Sequence, residues 1–324
     1  MRCSLLSIFL LDPAQGFRHR ENTSLEDIRT WARELGAEEV TDVSLEGVQF
    51  RCAGSVEYVT WLEALLDGVP AERCGVLATA WKRQVVGSDT AAIAGAPSMA
   101  AEPTALYLVE SDPVSTDTGS GSFDFRVFED PISMESALRR EVSRGNSARL
   151  LSTYSRKWVT QEHSNPHDLP ASMMDFCEHP IASDFERTWS RIWNVVPLRT
   201  DDYSFFVQGV PGSALASDPL CEVGCPFAVR GFDYDYVGVL WLEDLVWRTG
   251  RWVVDLEFVH ESGLRDLLRR ARKEGPHGDA VIAVQKKVQQ AYRILLTRAL
   301  RGLFVWVKDR ETREHLCASL TGHR

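Results

Sequence analysis

The sequence predicts an α/β fold: a mostly parallel sheet covered by helices on both faces. Three observations point there. Apolar runs of strand length alternate with capped amphipathic stretches along the chain. Several strand candidates are apolar throughout, as in strands buried on both faces. The 324 residues, 44% hydrophobic and 25% charged, have the balance of an ordinary globular protein and allow one large domain or two smaller ones.

The elements follow in order. "LLSIFLLD" (5–12) is a continuous apolar run ending in an acid, the form of a buried parallel strand. "TSLEDIRTWARELG" (23–36) opens on capping hydroxyls, keeps helical periodicity and stops at a glycine. "EEVTDVSL" (38–45) reads as the next strand and "SVEYVTWLEALLDG" (55–68) as a second capped helix. From 86 to 122 the chain is rich in Ala, Ser, Gly, Pro and Thr, which marks an insertion or mobile loop. Strand "FDFRVFED" (123–130), helix "SMESALRREVSRG" (133–145) and strand "ARLLSTYS" (148–155) restore the pattern. Residues 156–222 read as irregular. Strand "YVGVLWL" (236–242) and helices over 262–275 and 278–290 come next. "AYRILLTRALRGLFVWVKD" (291–309) reads as two apolar strands joined by a short turn. Strands near 124–129, 148–152, 236–241 and 303–307 are expected at the sheet's centre.

Composition excludes several classes. No apolar stretch approaches the ~20 residues that cross a bilayer, so no membrane partner is expected. "MRCSLLSIFLLDPAQ" has a short apolar part followed by Asp12 and no small-residue cleavage site, unlike a secretory signal. Seven scattered cysteines, an odd number, fit a reducing cytoplasm better than a disulfide framework. A net charge of −10 gives no bulk attraction for nucleic acid, although charge can be segregated.

Four short stretches carry chemistry in sequence order: "LLDPAQ" (10–15), "VQFRCAGS" (48–55), "RGFDYDYVGV" (230–239) and "YRILLTRA" (292–299). Each alone has an ordinary explanation as a turn former or a surface ion pair. Ligands sit at strand ends of parallel sheets, and arginines aimed into such a cleft suit a polyphosphate through multidentate contacts.

In this order the stretches resemble the later motifs of superfamily 1 helicases. More closely, they are similar to the bacterial Schlafen group 3-like DNA/RNA helicase domain family: "RGFDYDYVGVLW" matches its "QGFEFDYVGVIW", and "AYRILLTRALRG" its "TYRVLLTRGLKG". "ALRREVSRGNSARLLSTYS" fits the lobe between them, and the likeness covers the chain apart from the loop near 86–122. The resemblance implies a RecA-like fold of P-loop NTPase type, with 1–45 a remnant of the first lobe and 46–324 the second lobe. It implies ATPase ancestry, with Arg51 and Arg298 as γ-phosphate ligands and Gln15 orienting water or reporting on that phosphate. Asp233 stands where the family usually has a Glu contacting ribose or linking nucleotide to nucleic acid, and Arg230 replaces the usual Gln. Asp12 and Gly231 are further nucleotide-contacting positions. Arg293 has two readings, a nucleotide contact or an ion pair with Asp233 or Asp235.

Two parts of such a site are missing from the sequence. None of the six lysines follows a glycine, so there is no Gly-Lys-Ser/Thr cradle, and no Asp-Glu pair occurs for magnesium. The chain is therefore expected to start just upstream of the third of the family's motifs, with ATP and Mg²⁺ used only where another lobe supplies the cradle. Partners under this reading are DNA or RNA and a polypeptide carrying that lobe. A catalytically dead nucleic-acid- or protein-binding module is the alternative, and a metal-dependent enzyme using the His/Cys segments a third reading.

Elsewhere, "RDLLRRARK" (265–273) places Arg265, Arg269 and Arg272 on one helical face. By default this is a solvated surface; with the family resemblance it is a backbone-contacting face. "CEVGC" (221–225) and "HSNPHDLPASMMDFCEH" (163–179) lack paired structural-zinc spacing, so no metal is expected. Trp189, Trp193 and Trp241 read as core.

Overall fold

The computed structural model describes residues 23–42, 51–87, 123–179, 188–195, 211–229 and 232–322. Their strands are β1 (Asp124–Phe128), β2 (Ala148–Ser152), β3 (Phe176–Glu178), β4 (Trp189–Trp193), β5 (Glu222–Gly224), β6 (Tyr234–Trp241), β7 (Leu245–Arg248), β8 (Arg251–Val254) and β9 (Ala299–Val307). Seven form one sheet in the order β1-β9-β6-β2-β5-β4-β3, and every pairing but β3–β4 is parallel. The chain is thus mixed α/β around a mostly parallel sheet, as the alternation implies.

Among the described residues the helices of ten residues or more are α1 (Leu25–Glu34), α2 (Val56–Leu66), α3 (Ala71–Gly87), α4 (Pro131–Ser143), α5 (Arg265–Glu274), α6 (Asp279–Leu296) and α7 (Arg310–Thr321). Short polar side chains start several of them. Ser24 and Asp27 form a reciprocal capping box on α1, while Ser55, Asp130 and Asp309 each accept the third helical N–H of α2, α4 and α7. In α4, Pro131 at the first position supplies a preset φ where no N–H is needed.

The two sheet faces bury different partners. From β6 and β9, Val237, Val239, Trp241, Leu303, Val305 and Val307 face the cluster formed with α2, α3, α5, α6 and α7. The alternate positions, Leu240, Phe304 and Trp306, face α4 through Met134 and Leu138. Trp189, Trp193 and Trp241 are buried, as expected. Gly238 marks the close approach of α4: a Cβ there would meet Leu138 Cδ1 at 2.5 Å.

Several expectations need correction. Residues 291–296 are not a strand; they complete α6, whose Val284, Val288, Tyr292 and Leu295 repeat at helical spacing and are all buried. A short apolar run does not discriminate strand from helix, and here its continuity with the preceding turns decides. The strand at 124–128 lies at one end of the described sheet, not its centre, while β9, β6 and β2 are interior. No strand occurs over 38–42. The stretch read as irregular, 156–222, contains β3, β4 and the first residue of β5, which extend the sheet. A hairpin, β7–β8, was also not expected. Its turn, Thr249–Gly250, has φ of 49° and 80°, the paired left-handed conformation of a tight two-residue connection. The strand expected at 5–12 and the loop at 88–122 lie outside the described residues.

One buried polar network joins the layers. Asp244, three residues past β6, is 2% exposed and accepts from Thr153 Oγ1 (2.6 Å) beyond β2 and from Tyr292 OH (2.7 Å) on α6. The Tyr292 ring stacks on Trp241 at 4.2 Å. Burial raises the Asp244 carboxyl from its ordinary 3.8 to about 6, the two hydroxyl donors opposing that rise only in part. An acid raised in the folded state contributes stability that is full below its unfolded pKa and is lost as pH rises through the folded one, here from about 4 to 6. Asp244→Asn keeps an acceptor and cannot ionise. The unfolding free energy of the native protein, minus that of Asp244→Asn, is expected to fall by about 2–3 kcal/mol between pH 4 and 7.5. Urea titrations across that range check it, and a flat difference would refute it.

Candidate functional site

The residues singled out in the later motifs gather at the amino-terminal ends of β6 and β9, the edge opposite to the one where parallel sheets usually bind ligands. Arg51 precedes a single 3₁₀ turn, Cys52–Gly54, which packs against β9. Its Nε donates to Asp233 Oδ1, just before β6. Both side chains are partly exposed, at 30% and 41%. Cys52 and Ala53 hold left-handed φ of 55° and 53°, a costly conformation for non-glycine residues that persists only when surroundings enforce it. Two anchors do so: Cys52 is fully buried, and Tyr58 OH of α2 donates to Leu296 O (2.9 Å) at the end of α6. That bond brings the Arg51 turn beside the turn carrying Arg298.

Arg298 departs from expectation. A γ-phosphate ligand beside Arg51 has to reach solvent; instead Arg298 is 1% exposed, and its Nε donates to Ile294 O (3.2 Å) in the last turn of α6. The physical reason is position. Between the end of α6 and the first residue of β9 the side chain folds back over the helix C-terminus, where carbonyls lack helical partners and a cation is favoured. Arg293 also differs. Its Nη2 and Nε donate to Glu63 Oε1 (2.8 and 3.2 Å), tying α6 to α2, and it pairs with neither Asp233 nor Asp235. Asp235 accepts from the backbone N–H (2.9 Å) and hydroxyl (2.8 Å) of Ser147. Asp12, Gln15 and Gly231 lie outside the described residues.

At the opposite edge, beyond the carboxyl end of β2, is a cleft of about 490 Å³ lined by Arg156, Lys157, Asp175, Phe258 and His260 among others. Asp175 shapes its floor, accepting from the N–H groups of Val159 (2.6 Å), Thr160 (3.1 Å) and Trp193 (2.8 Å) and from Thr160 Oγ1 (2.5 Å). Arg156 lies over the Phe258 ring and bridges to Glu178 (3.0 Å) and Glu243 (2.8 Å), which Lys308 also engages. Lys157 is exposed. His260 is held below its ordinary pKa first by burial, then by the positive charges of Lys157, Arg156 and Arg272. Arg272 Nη2 donates to Leu256 O (3.2 Å), which sets the basic face of α5 next to this cleft. Arg265 and Arg269 on that face are exposed, Arg269 beside Asp266 (3.3 Å). Arg156, Lys157 and His260 were missed in the sequence; the adjacent basic pair directly after a strand was the available signal.

Residues 1–77 and 104–309 match the Schlafen group 3, DNA/RNA helicase domain. The chain belongs to this family. The helicase-domain match contains Arg51, Asp233 and Arg298 and also the basic cleft at the other edge. An uncharacterized protein of Saccharomyces cerevisiae, YPL245W, is 25% identical over 195 residues, 60% of this chain. That match spans only 37% of the yeast protein's length. No solved structure matches.

The different burial of the two family arginines separates their effects on stability. Arg51→Ala breaks a partly exposed ion pair and is expected to change the unfolding free energy by about 1 kcal/mol or less. Arg298→Ala removes a buried side chain and uncovers the end of α6, and is expected to cost roughly 2–4 kcal/mol. Denaturant unfolding of both variants checks the contrast; equal losses would show that exposure does not separate them.

Proposed function

We propose that this chain is the second, RecA-like lobe of a superfamily 1-type DNA/RNA helicase or nucleic-acid-dependent ATPase, with 1–45 a remnant of the first lobe. ATP and Mg²⁺ enter this reading only where a P-loop lobe, in the same or another polypeptide, supplies the cradle that the sequence lacks. The observation that carries it is the meeting of Arg51, Asp233 and the Arg298 turn at one sheet edge from three distant parts of a helicase-family chain. In this reading Asp233 holds the Arg51 guanidinium until phosphate replaces it, and Arg298 stabilises the turn behind it. Nucleic acid tracks the basic cleft and the exposed face of α5, which resolves the conflict with a net charge of −10 by segregation.

Two measurements test it. The chain alone is expected to bind ATP undetectably. With a P-loop lobe from a family member supplied in cis or trans it gains hydrolysis, and Arg51→Ala then loses turnover by roughly 10³-fold or more, as removal of a phosphate-facing arginine does. The chain alone binds single-stranded oligonucleotide in a salt-dependent manner, and Lys157→Ala reduces the slope of log affinity against log salt by roughly 0.7. Burial and the neighbouring positive charges both depress His260; a bound polyanion opposes the charge contribution, so binding is expected to tighten as pH falls. Oligonucleotide binding with no reconstituted hydrolysis selects the binding-module alternative. Neither activity rejects both readings.

A further inference from the structure

The segment between β2 and β3 contributes a side chain to a cluster that sequence spacing concealed. His167 sits on a one-turn 3₁₀ helix, Pro166–Asp168, whose own contribution to the core is Pro166. It approaches Cys221 and Glu222, at the amino end of β5, more than fifty residues along the chain. One ligating atom from each of the three lies within 4.8 Å of the others, and His167 Nε2 stands 3.9 Å from Glu222 Oε2.

We propose that His167, Cys221 and Glu222 bind a zinc ion that fastens the β2–β3 segment to the amino edge of β5. Imidazole, thiolate and carboxylate together are a borderline-soft donor set, which favours Zn²⁺ over the hard cations calcium and magnesium. Zinc–ligand bonds of about 2.0–2.3 Å at tetrahedral angles bring donor atoms to roughly 3.3–3.7 Å of one another. The cluster therefore needs to contract by up to about 1.5 Å, and His167, at 31% exposed, has freedom to swing inward.

Glu222 has the support that a ligating carboxylate needs. Its side chain is 3% exposed, and Arg149 Nη2 holds Oε1 at 2.9 Å. The N–H of Val195 donates to Oε2 at 3.0 Å, fixing the rotation that aims this oxygen at His167. A ligating carboxylate that is itself hydrogen-bonded is the usual outer arrangement of a metal site. The charges are partly offset: Arg149 is matched by Glu222, and the Cys221 thiolate cancels one of the two zinc charges, leaving a net charge of about +1 beside solvent. Three protein ligands leave a fourth position for water on the solvent side, where His167 and Cys221 are only partly buried. The competing reading is a metal-free contact between His167 and Glu222.

The test uses the full-length, tag-free chain, stripped with chelator and titrated with Zn²⁺, with Co²⁺ as spectroscopic reporter. One zinc per chain is expected, with a thiolate-to-cobalt charge-transfer band, and zinc should raise the melting temperature. His167→Ala and Cys221→Ser should each weaken zinc binding at least 10-fold and abolish the melting shift, and Cys221→Ser should lose the band. His167 is at the surface, so its variants fold; if Cys221→Ser fails to fold, His167→Ala and His167→Gln decide. No zinc bound at micromolar concentration overturns the proposal. So does unchanged affinity in the His167 variants, which would place any bound zinc elsewhere, such as at Cys177 and His179.

Discussion

Asp244 is the point on which the layers of this fold meet. Its carboxyl joins the segments leaving β2 and β6 to the face of α6, and its two partners are hydroxyls rather than cations. A buried carboxyl so placed is more easily kept neutral than ionised, which is why its pKa rises despite two hydrogen bonds. The stacked Trp241 and Tyr292 rings complete the same junction, and Trp252 stacks on Trp241 in turn at 5.3 Å. α6 is therefore fixed in rotation as well as position. One turn further on, Leu296 O is pinned by Tyr58. The placement of the Arg298 turn, and of Arg51 beside it, follows from a helix that cannot rotate.

Much of this was legible in the sequence where short-range physics governs. Capping residues and periodicity located α1, α2, α4 and α5, and short runs dominated by apolar residues located β1, β2, β6 and β9. The errors have a common cause. "AYRILL" is too short to reveal its period, and only burial of Val284, Val288, Tyr292 and Leu295 on one side makes it helix. β3, β4 and β5 are three to five residues long and take their identity from neighbours already in the sheet, which local propensity does not contain. Chain order gave no sign that Arg51 pairs with Asp233, and it carried no information on depth. Whether a guanidinium after a helix turns outward or folds back over the helix end depends on how the next strand leaves, and Arg298 folds back. For His167, Cys221 and Glu222 the separation along the chain exceeds any recognisable ligand spacing, and proximity appears only in three dimensions.

The two edges of the sheet differ in how they handle charge. At the amino edge Arg51 and Asp233 are matched one to one and half-exposed, so a competing anion needs to displace a single carboxylate. At the carboxyl edge Arg156 and Lys308 are locked with Glu178 and Glu243 in a four-membered network, while Lys157 and the outer face of α5 stay exposed. The network sets the shape of that edge, and in the proposed reading the exposed cations would supply its attraction for a polyanion. Partly exposed pairs exchange partners at little cost, whereas linked and partly buried ones resist it.

That contrast bears on how a nucleotide edge and a nucleic-acid edge would communicate in the proposed reading. β6 and β9 run between them: Asp233 precedes β6 and Glu243 follows it, and Arg298 precedes β9 and Lys308 follows it. From Val237 and Gly302 onward both strands are buried on both faces, and close packing there favours transmitting displacement over absorbing it. Exchange of Asp233 for a phosphate on Arg51 would act on the start of β6, and Asp244 and Glu243 anchor its other end to α6, Thr153 and Arg156. In that reading a change at the amino edge would reach the basic cleft along the strand and its anchored carboxylates. Coupling of this kind requires two arrangements of one element, and the segment from Asp233 to Asp244 is the element whose two ends are held by the two sites.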